Sequence, residues 1–493
     1  MAWIKRQPNS AFAIFLTVHV AVWTALPTLL YANLPLDLIE ALTYGREWVL
    51  GSDKLPPLPW WLVEIMYRLF GADVAYYALA EVVVAAAFTL VWATARPLVG
   101  PVRALIAILI IDGMHYLGYT APKFNHDVIQ LPFWALAGYA FHAALKHQRL
   151  RDWLLLGFAF GGALWAKYFV VVLAAPYALF LIFDRDARPA WRTPGPWLGI
   201  VLALIIASPH LVWLIENHFE PFTYVDVRSA PARGWYDHIL HPGFFAAGQL
   251  SFMLPALLIA AMFIWTRPQR PRSSAQGAEV AADAFDRRII TLIAFGPAAA
   301  MLTLIAAGGR GAVTMWGYPL WLFLGVWIVL FVRRPLDAPR LKRVVGAWAA
   351  VFAALAIGFV VNYTALPNID HRYRAELFPG EALAADLTQH FHDATGQKLH
   401  YVIASMWLGG NVAHYSPDQP HVLIDGLPRR APWIDLNDLR AKGAIVVWDG
   451  SADSIPLELA AVAPGAHIGA PLTLPMRRGP GEQHFGWAIL MPQ

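Results

Sequence analysis

The chain has 493 residues, of which 58% are hydrophobic and only 14% charged, with 22 tryptophans and a formal charge of +4. With a positive mean hydropathy, this composition excludes both a soluble globular domain and a disordered chain of this length. The lack of cysteine removes disulfides, thiolate metal sites and cysteine nucleophiles, and the basic residues lie in short loops between apolar blocks, which accounts for the charge without nucleic acid.

The apolar blocks are continuous and about 20 residues long, the length of a helix crossing a hydrocarbon core, whereas barrel strands would alternate apolar and polar residues. The first, "SAFAIFLTVHVAVWTALPTLLYA", follows Lys5 and Arg6. It reads as a span, because its apolar run exceeds a signal-peptide core and no small-residue cleavage site follows. Spans are expected near 10–32, 73–95, 102–119, 128–145, 153–167, 169–183, 196–215, 243–265, 289–307, 316–332 and 344–365, about 11 in all. With the N-terminus inside, the inner segments hold roughly 20 Lys and Arg against about 8 outside, so the positive-inside rule gives an N-in, C-out topology. The inner segment 266–288, rich in Arg, Ser and Ala, reads as a mobile linker.

Three outer segments carry most of the chemistry. The first loop, 33–72, contains Asp37, Glu40, Arg46, Glu47, Asp53 and Lys54 before a Pro-Pro pair and two tryptophans. A helix over 36–50 would lay Leu38, Ile39, Leu42, Trp48 and Val49 in the membrane interface, with Trp60 and Trp61 as interfacial anchors. The turn at 118–127 places Lys123, Asn125, His126 and Asp127 at the outer mouth of the fourth span, and Lys167 lies near the same face. The third segment is the loop 216–242. Ionisable groups at membrane depth are costly unless they face a cavity or a partner, so their concentration on one side marks a site. A carboxylate beside a lysine there suits a reaction in which a base activates an acceptor and a cation holds a phosphate leaving group.

From about residue 370 the pattern changes to alternating helices and strands, ending with the strand "AIVVWDG", which reads as a small α/β domain with a mainly parallel sheet. The chain therefore divides into a membrane part, 1–369, and an outer, periplasmic part, 370–493. Asp112 and His115 read as a buried polar pair tying two spans, with a proton relay as the alternative. His371, His390, His392, His400, His414 and His421 are scattered without tight ligand spacing, so no residue is assigned to a metal.

The segment from Asp37 through "GREWVLGSDKLPPLPWWL", then "KFNHDVIQLPFWAL" and "GALWAKY", resembles the polyprenyl-phosphate-sugar-dependent GT-C glycosyltransferases. That group includes protein O-mannosyltransferases and lipid A aminoarabinose transferases, and the sequence is most similar to the rhizobial lipopolysaccharide galacturonosyltransferase branch. The resemblance implies a GT-C membrane domain using an undecaprenyl- or dodecaprenyl-phosphate sugar, with a lipid or glycan acceptor in the envelope of the bacterial inner membrane. It places Asp37 at the first-loop catalytic aspartate, Asp127 at the second aspartate and Lys54 at a lysine associated with the lipid phosphate. Where the family often has an acidic residue after the first aspartate, this chain has Leu38, with Glu40 further on. Glu40, Lys123, His126, Lys167, Arg228 and Arg310 complete the substrate-binding set, and a divalent metal cofactor stays open. The competing reading is a transporter or flippase of a lipid-linked substrate, in which the same charges line a pathway. Such proteins often show repeated halves; no repeat is visible in this sequence.

Overall fold

A computed structural model of the protein describes residues 1–265, 282–332, 334–450 and 454–493. In chain order its principal helices are α1 (Pro8–Leu30), α2 (Leu36–Gly45), α3 (Leu58–Phe70), α4 (Val74–Val99), α5 (Pro101–Asp112), α6 (His126–His147), α7 (Leu150–Ala166), α8 (Val170–Phe183), α9 (Pro194–Glu216), α10 (Pro221–Arg228), α11 (Asp237–Ile264), α12 (Ala284–Gly308), α13 (Leu324–Phe331), α14 (Ala338–Thr364), α15 (Gly380–Thr395), α16 (Met406–Tyr415) and α17 (Leu436–Lys442). The strands are β1 (Tyr401–Ala404), β2 (His421–Ile424), β3 (Ala444–Asp449), β4 (His467–Ile468), β5 (Leu472–Pro475) and β6 (Glu482–Leu490). The chain forms two compact units. One comprises Met1–Ala25, Lys54–Pro56 and Tyr77–Ile357; the other comprises Leu26–Asp53, Pro57–Tyr76 and Gly358–Gln493.

Among the described residues, seven helices (α1, α4, α6, α9, α11, α12 and α14) are long and apolar enough to cross a membrane. The other four expected spans fall on α5, α7, α8 and α13, of 12, 17, 14 and 8 residues. Two of them have an identifiable interruption. Lys167 leaves α7 with extended backbone, φ −166° and ψ 141°. The residues before α13 form irregular turns, yet Tyr318, Leu320, Leu322 and Phe323 are buried in protein, the condition under which non-helical backbone is tolerated at membrane depth. Helices α7 and α9 meet through small residues: a Cβ on Gly157 would lie 2.2 Å from the carbonyl oxygen of Gly199, so only glycine lets these backbones approach so closely. The inner segment expected as a linker lies outside the described residues as far as 281.

In the second unit, the first-loop helix differs from expectation. It stops at Gly45, where a Cβ would sit 2.4 Å from the carbonyl oxygen of Trp60, and Trp48 follows with φ 49°. Leu38 and Ile39 are fully buried and Leu42 nearly so, packed with α3 and α16. The apolar face expected in lipid is thus covered by protein. Trp60, expected as an interfacial anchor, is buried and stacked on Tyr44 with ring centroids 4.5 Å apart.

The sheet runs β2-β1-β3-β6-β4, with β5 also on β6. The pairs β1–β2 and β1–β3 are parallel as expected. Strands β4, β5 and β6 make the remainder antiparallel, so the sheet is mixed. These strands escape a periodicity reading because β4 has two residues, β5 ends in proline and β6 opens on Glu482 and Gln483. Apolar clusters centred on Leu387, Val402 and Ile445, and on Ile403, Leu423 and Val446, cover the two faces.

Candidate active site

The 113–125 segment folds as two short 3-10 turns that end at Asn125. The Asn125 side chain accepts hydrogen bonds from the backbone N–H groups of Asp127 (2.9 Å) and Val128 (3.2 Å), capping α6 in the way Asn favours. This fixes Asp127 in the first turn, where the helix dipole stabilises a carboxylate. Lys167 Nζ donates to Asp127 Oδ1 at 2.5 Å and Gln130 Nε2 donates to the same oxygen at 3.0 Å. The side chains of the Lys167–Asp127 pair are only 10% and 11% exposed, and the ammonium lies 5.8 and 6.0 Å from the Phe169 and Trp316 ring centroids. An ion pair so placed is costly to break from one side, because the remaining charge is left buried.

His126 Nε2 donates to the Pro56 carbonyl at 2.9 Å. A carbonyl only accepts, so this nitrogen carries the proton. The bond ties the head of α6 to the Lys54–Pro56 segment. Lys54, half-buried, holds its ammonium 5.8 Å from the ring centroid of Tyr224 on α10. The residue after Lys167 reaches the same short helix: Tyr168 bonds His210 Nε2 at 3.0 Å and stacks on Phe222 at 5.1 Å. Arg310 donates to Ser229 Oγ at 2.9 Å and to the Asp226 carbonyl at 2.8 Å, so its guanidinium holds the end of α10. Arg228 is exposed on the last turn of α10, and Lys123 is half-buried in the second 3-10 turn. A connected series of contacts therefore links Asp127, Lys167, His126, Lys54 and the Arg228–Arg310 loop within the first unit.

In the second unit, Asp37 and Glu40 are half-buried on α2, three residues apart and so on neighbouring positions of one helical surface. Tyr44 donates to Asp53 Oδ1 at 3.0 Å, and Arg430 Nε donates to Asp53 Oδ2 at 2.8 Å. Burial and the charges of Asp53 and Glu40 push the Tyr44 hydroxyl well above its ordinary range, keeping it a donor. Arg430 is thereby a structural clamp on the first loop, paired also with Asp425.

Residues 54–213 match the family described as dolichyl-phosphate-mannose-protein mannosyltransferase. The chain is 24% identical over 309 residues to the lipopolysaccharide core galacturonosyltransferase RgtB of Rhizobium johnstonii, covering 60% of each chain. It is 25% identical over 333 residues to the lipid A galacturonosyltransferase RgtD of the same organism, covering 65% of each. Both matches span less than two thirds of the relative's length. Across 98% of both chains, the structure of ArnT from Cupriavidus metallidurans bound to undecaprenyl phosphate aligns with a TM-score of 0.63 at 14% identity. The fold is that of the GT-C glycosyltransferases.

Within this multi-pass GT-C membrane architecture, the structure joins Asp127 to Lys167 and sets His126 beside the Lys54 segment, as the clustering of outer charges anticipates. It does not pair Asp112 with His115. Instead Asp112 Oδ1 lies 2.7 Å from His19 Nδ1, and its Oδ2 accepts from Trp348 Nε1 at 2.6 Å. His19 Nε2 is 3.0 Å from Glu81 Oε2. His115 stacks on Tyr119, centroids 4.5 Å apart. This Glu81–His19–Asp112 triad was not expected, although a lone histidine and a lone glutamate inside apolar spans are the signal that could have found it. Among the described residues, no group of three or more His, Asp or Glu is arranged to hold a metal ion.

Proposed function

We propose that the chain is a glycosyltransferase of the bacterial inner membrane that moves a sugar from a polyprenyl-phosphate donor to lipid A, lipopolysaccharide core or another envelope glycan on the periplasmic face. In this reading about 11 helical segments enter the membrane, N-terminus inside and C-terminus outside. Residues 1–369 form the transferase part, with its periplasmic first loop at 33–72, and 370–493 form the periplasmic α/β domain. The sugar is a uronic acid, as the names of both rhizobial relatives indicate for those proteins.

The observation that carries the reading is the buried Lys167 ammonium, held by Asp127 at 2.5 Å and linked through His126 to the segment bearing Lys54. Fixed cations of this kind stabilise charge that grows on a departing phosphate. Asp37, half-buried at the start of α2, acts as general base. The acceptor oxygen bonds to the anomeric carbon and its proton passes to Asp37. The carbon–oxygen bond to phosphate breaks, its electron pair leaving on the polyprenyl phosphate, and displacement from the opposite side inverts the anomeric centre. Lys54 and Lys167 hold the phosphate, Asp127 positions Lys167, and Glu40, Lys123, His126, Arg228 and Arg310 complete the binding surfaces.

Intact-lipid mass spectrometry of the envelope, with and without the protein, tests the reading. One envelope lipid or glycan gains the mass of a hexuronosyl unit when the protein is present; an unchanged lipid profile sinks the transferase assignment. In a reconstituted assay, Asp37→Asn keeps donor binding and loses about 10²- to 10⁴-fold in rate, with Glu40→Gln milder. If Glu40→Gln is the dead variant, the base lies one helical turn further on. A chelation arm of the same assay reads out any divalent metal.

A further inference from the structure

The second unit contains a cavity of about 410 Å³ between α2, α3, α16 and the start of β2, within the size range of small-molecule sites. Its wall mixes apolar surface with hydrogen-bonding groups, among them Arg46, Glu64, Tyr67, Arg68, His414 and Gln419. These groups are fixed in place before any ligand arrives. Arg68 Nε donates to Glu64 at 2.7 Å, and the Glu64 side chain is only 5% exposed. The Arg68 guanidinium lies 5.5 Å from the Trp48 ring centroid. Arg46 Nη1 donates to the carbonyls of Gln419 (2.9 Å) and Pro420 (3.1 Å), and the Gln419 amide donates to the Tyr67 hydroxyl. Among the described residues, both terminal nitrogens of Arg68 and Nη2 of Arg46 make no hydrogen bond, so three guanidinium nitrogens retain donors for a ligand.

Charge narrows the ligand class. Beside the two arginines stand Glu64, Glu47 (2.7 Å from His421 Nδ1) and Asp73 (3.7 Å from His414 Nε2). A simple anion would meet the Glu64 carboxylate in the wall, with Glu47 and Asp73 behind His421 and His414, and a purely apolar ligand would leave the guanidinium donors unpaired. The recurring pattern is a donor directly beside an acceptor, as in Arg68–Glu64 and His421–Glu47. A vicinal diol matches it, because each hydroxyl both donates and accepts. Trp48 and Gln419, at φ 49° and 50°, hold left-handed backbone next to this cleft, and such strain in non-glycine residues clusters at ligand sites.

We propose that this cleft binds a saccharide unit of the acceptor glycan through its hydroxyls, which makes it an acceptor-recognition subsite. The inference rests on the transferase reading for the word acceptor, but the saccharide site stands on its own residues. The test uses the full-length protein in detergent. Binding of a defined, lipid-free core-type oligosaccharide is measured by calorimetry, and transfer kinetics are measured in parallel. Arg68→Gln is expected to weaken oligosaccharide binding at least tenfold and to raise the acceptor KM by a similar factor, leaving kcat and the donor KM in place. Gln419→Gly, which keeps the left-handed backbone while removing the amide, is the second variant and moves both readouts the same way by a smaller factor. Equal binding to wild type and to both variants overturns the proposal, as does displacement of the oligosaccharide by millimolar inorganic phosphate, which would mark an anion site. Oligosaccharide binding that depends on Arg68 in a protein showing no transfer supports the saccharide site and defeats the transferase reading instead.

Discussion

Two of the ionic clusters in the first unit are built on opposite plans. The Glu81–His19–Asp112 triad is sealed: His19 and Glu81 side chains are wholly buried and Asp112 is 1% exposed. The Asp127–Lys167 pair keeps 10–11% exposure and sits where one helix starts and another stops. The triad joins interior positions of α1 and α4 to the last residue of α5, with Trp348 of α14 donating to Asp112. Its two nitrogen–oxygen approaches are short but lie off the ring N–H axes. At 2.7 and 3.0 Å nitrogen and carboxylate lone pairs repel unless a proton lies between them. Full burial with no exposed edge describes scaffold. The pair, by contrast, has irregular backbone on both sides and further cations on the connected segments, which is how a site that must admit substrate is built. Ionisable residues inside a membrane protein are a functional signal, and exposure together with local backbone irregularity decides which kind.

The largest expected effect comes from uncoupling the pair. Lys167→Met leaves the Asp127 carboxylate buried without its cation, which costs about 3–5 kcal/mol of stability, and removes a fixed charge worth about 10²- to 10³-fold in rate. The double variant Asp127→Asn, Lys167→Met restores the stability and leaves the rate low. Thermal unfolding in detergent and initial transfer rates separate the two quantities. If the double variant regains activity along with stability, the pair is scaffold like the triad and the contrast collapses.

For the triad the expectation is reversed. His19→Phe leaves Glu81 and Asp112 buried around an apolar ring and destabilises the protein by about 3–5 kcal/mol. Replacing all three residues with the neutral set His19→Gln, Glu81→Gln, Asp112→Asn recovers most of that loss, and the folded fraction transfers sugar at the parent rate. A fully folded triple variant with no activity would move the triad from scaffold to mechanism.

How much of this was legible follows from the kind of signal involved. The apolar blocks show directly in sequence because burial in lipid needs only length and composition. The helices α15, α16 and α17 and strands β1 to β3 were equally visible, since the strands are short, continuously apolar runs separated by helical pieces. The grouping of Lys54, His126, Asp127 and Lys167 was visible because charges are rare in such a chain. What stayed hidden depends on the third dimension. His19 and Glu81 are separated by 62 positions and each sits in an ordinary-looking span. Nothing local says that α2 buries its apolar face on α16 when the same face would suit a membrane surface. Arg430 reads as a turn residue until Asp53 is placed against it.

Lys54 offers a finer test of where the working cluster extends. Lys54→Ala is expected to raise the donor KM and lower kcat together, about tenfold each, because the ammonium meets the phosphodiester in the ground state and more strongly as charge builds on the leaving group. Lys54→Arg regains part of this, since a planar guanidinium does not reproduce a compact ammonium. Rates measured against the concentration of a defined polyprenyl-phosphate sugar check it. Unchanged KM and kcat in Lys54→Ala would confine the working cluster to Asp127 and Lys167.

The smallest effect is expected at Arg310. Its guanidinium is already engaged by Ser229 Oγ and the Asp226 carbonyl, with the Asp226 carboxylate 3.4 Å away, so its contribution to substrate runs through the loop that carries Arg228 and, one turn earlier, Tyr224. Arg310→Ala therefore loosens the end of α10, and the donor KM rises by a few-fold with kcat nearly unchanged. Arg310→Lys does not rescue it, because one ammonium cannot span the acceptors that the planar fork reaches together. Direct contact with the donor phosphate predicts something else: a large kcat loss that Lys repairs in part. The split between KM and kcat in these two variants thus decides whether the working cluster ends at Lys54 and Lys167 or reaches to the far side of the loop.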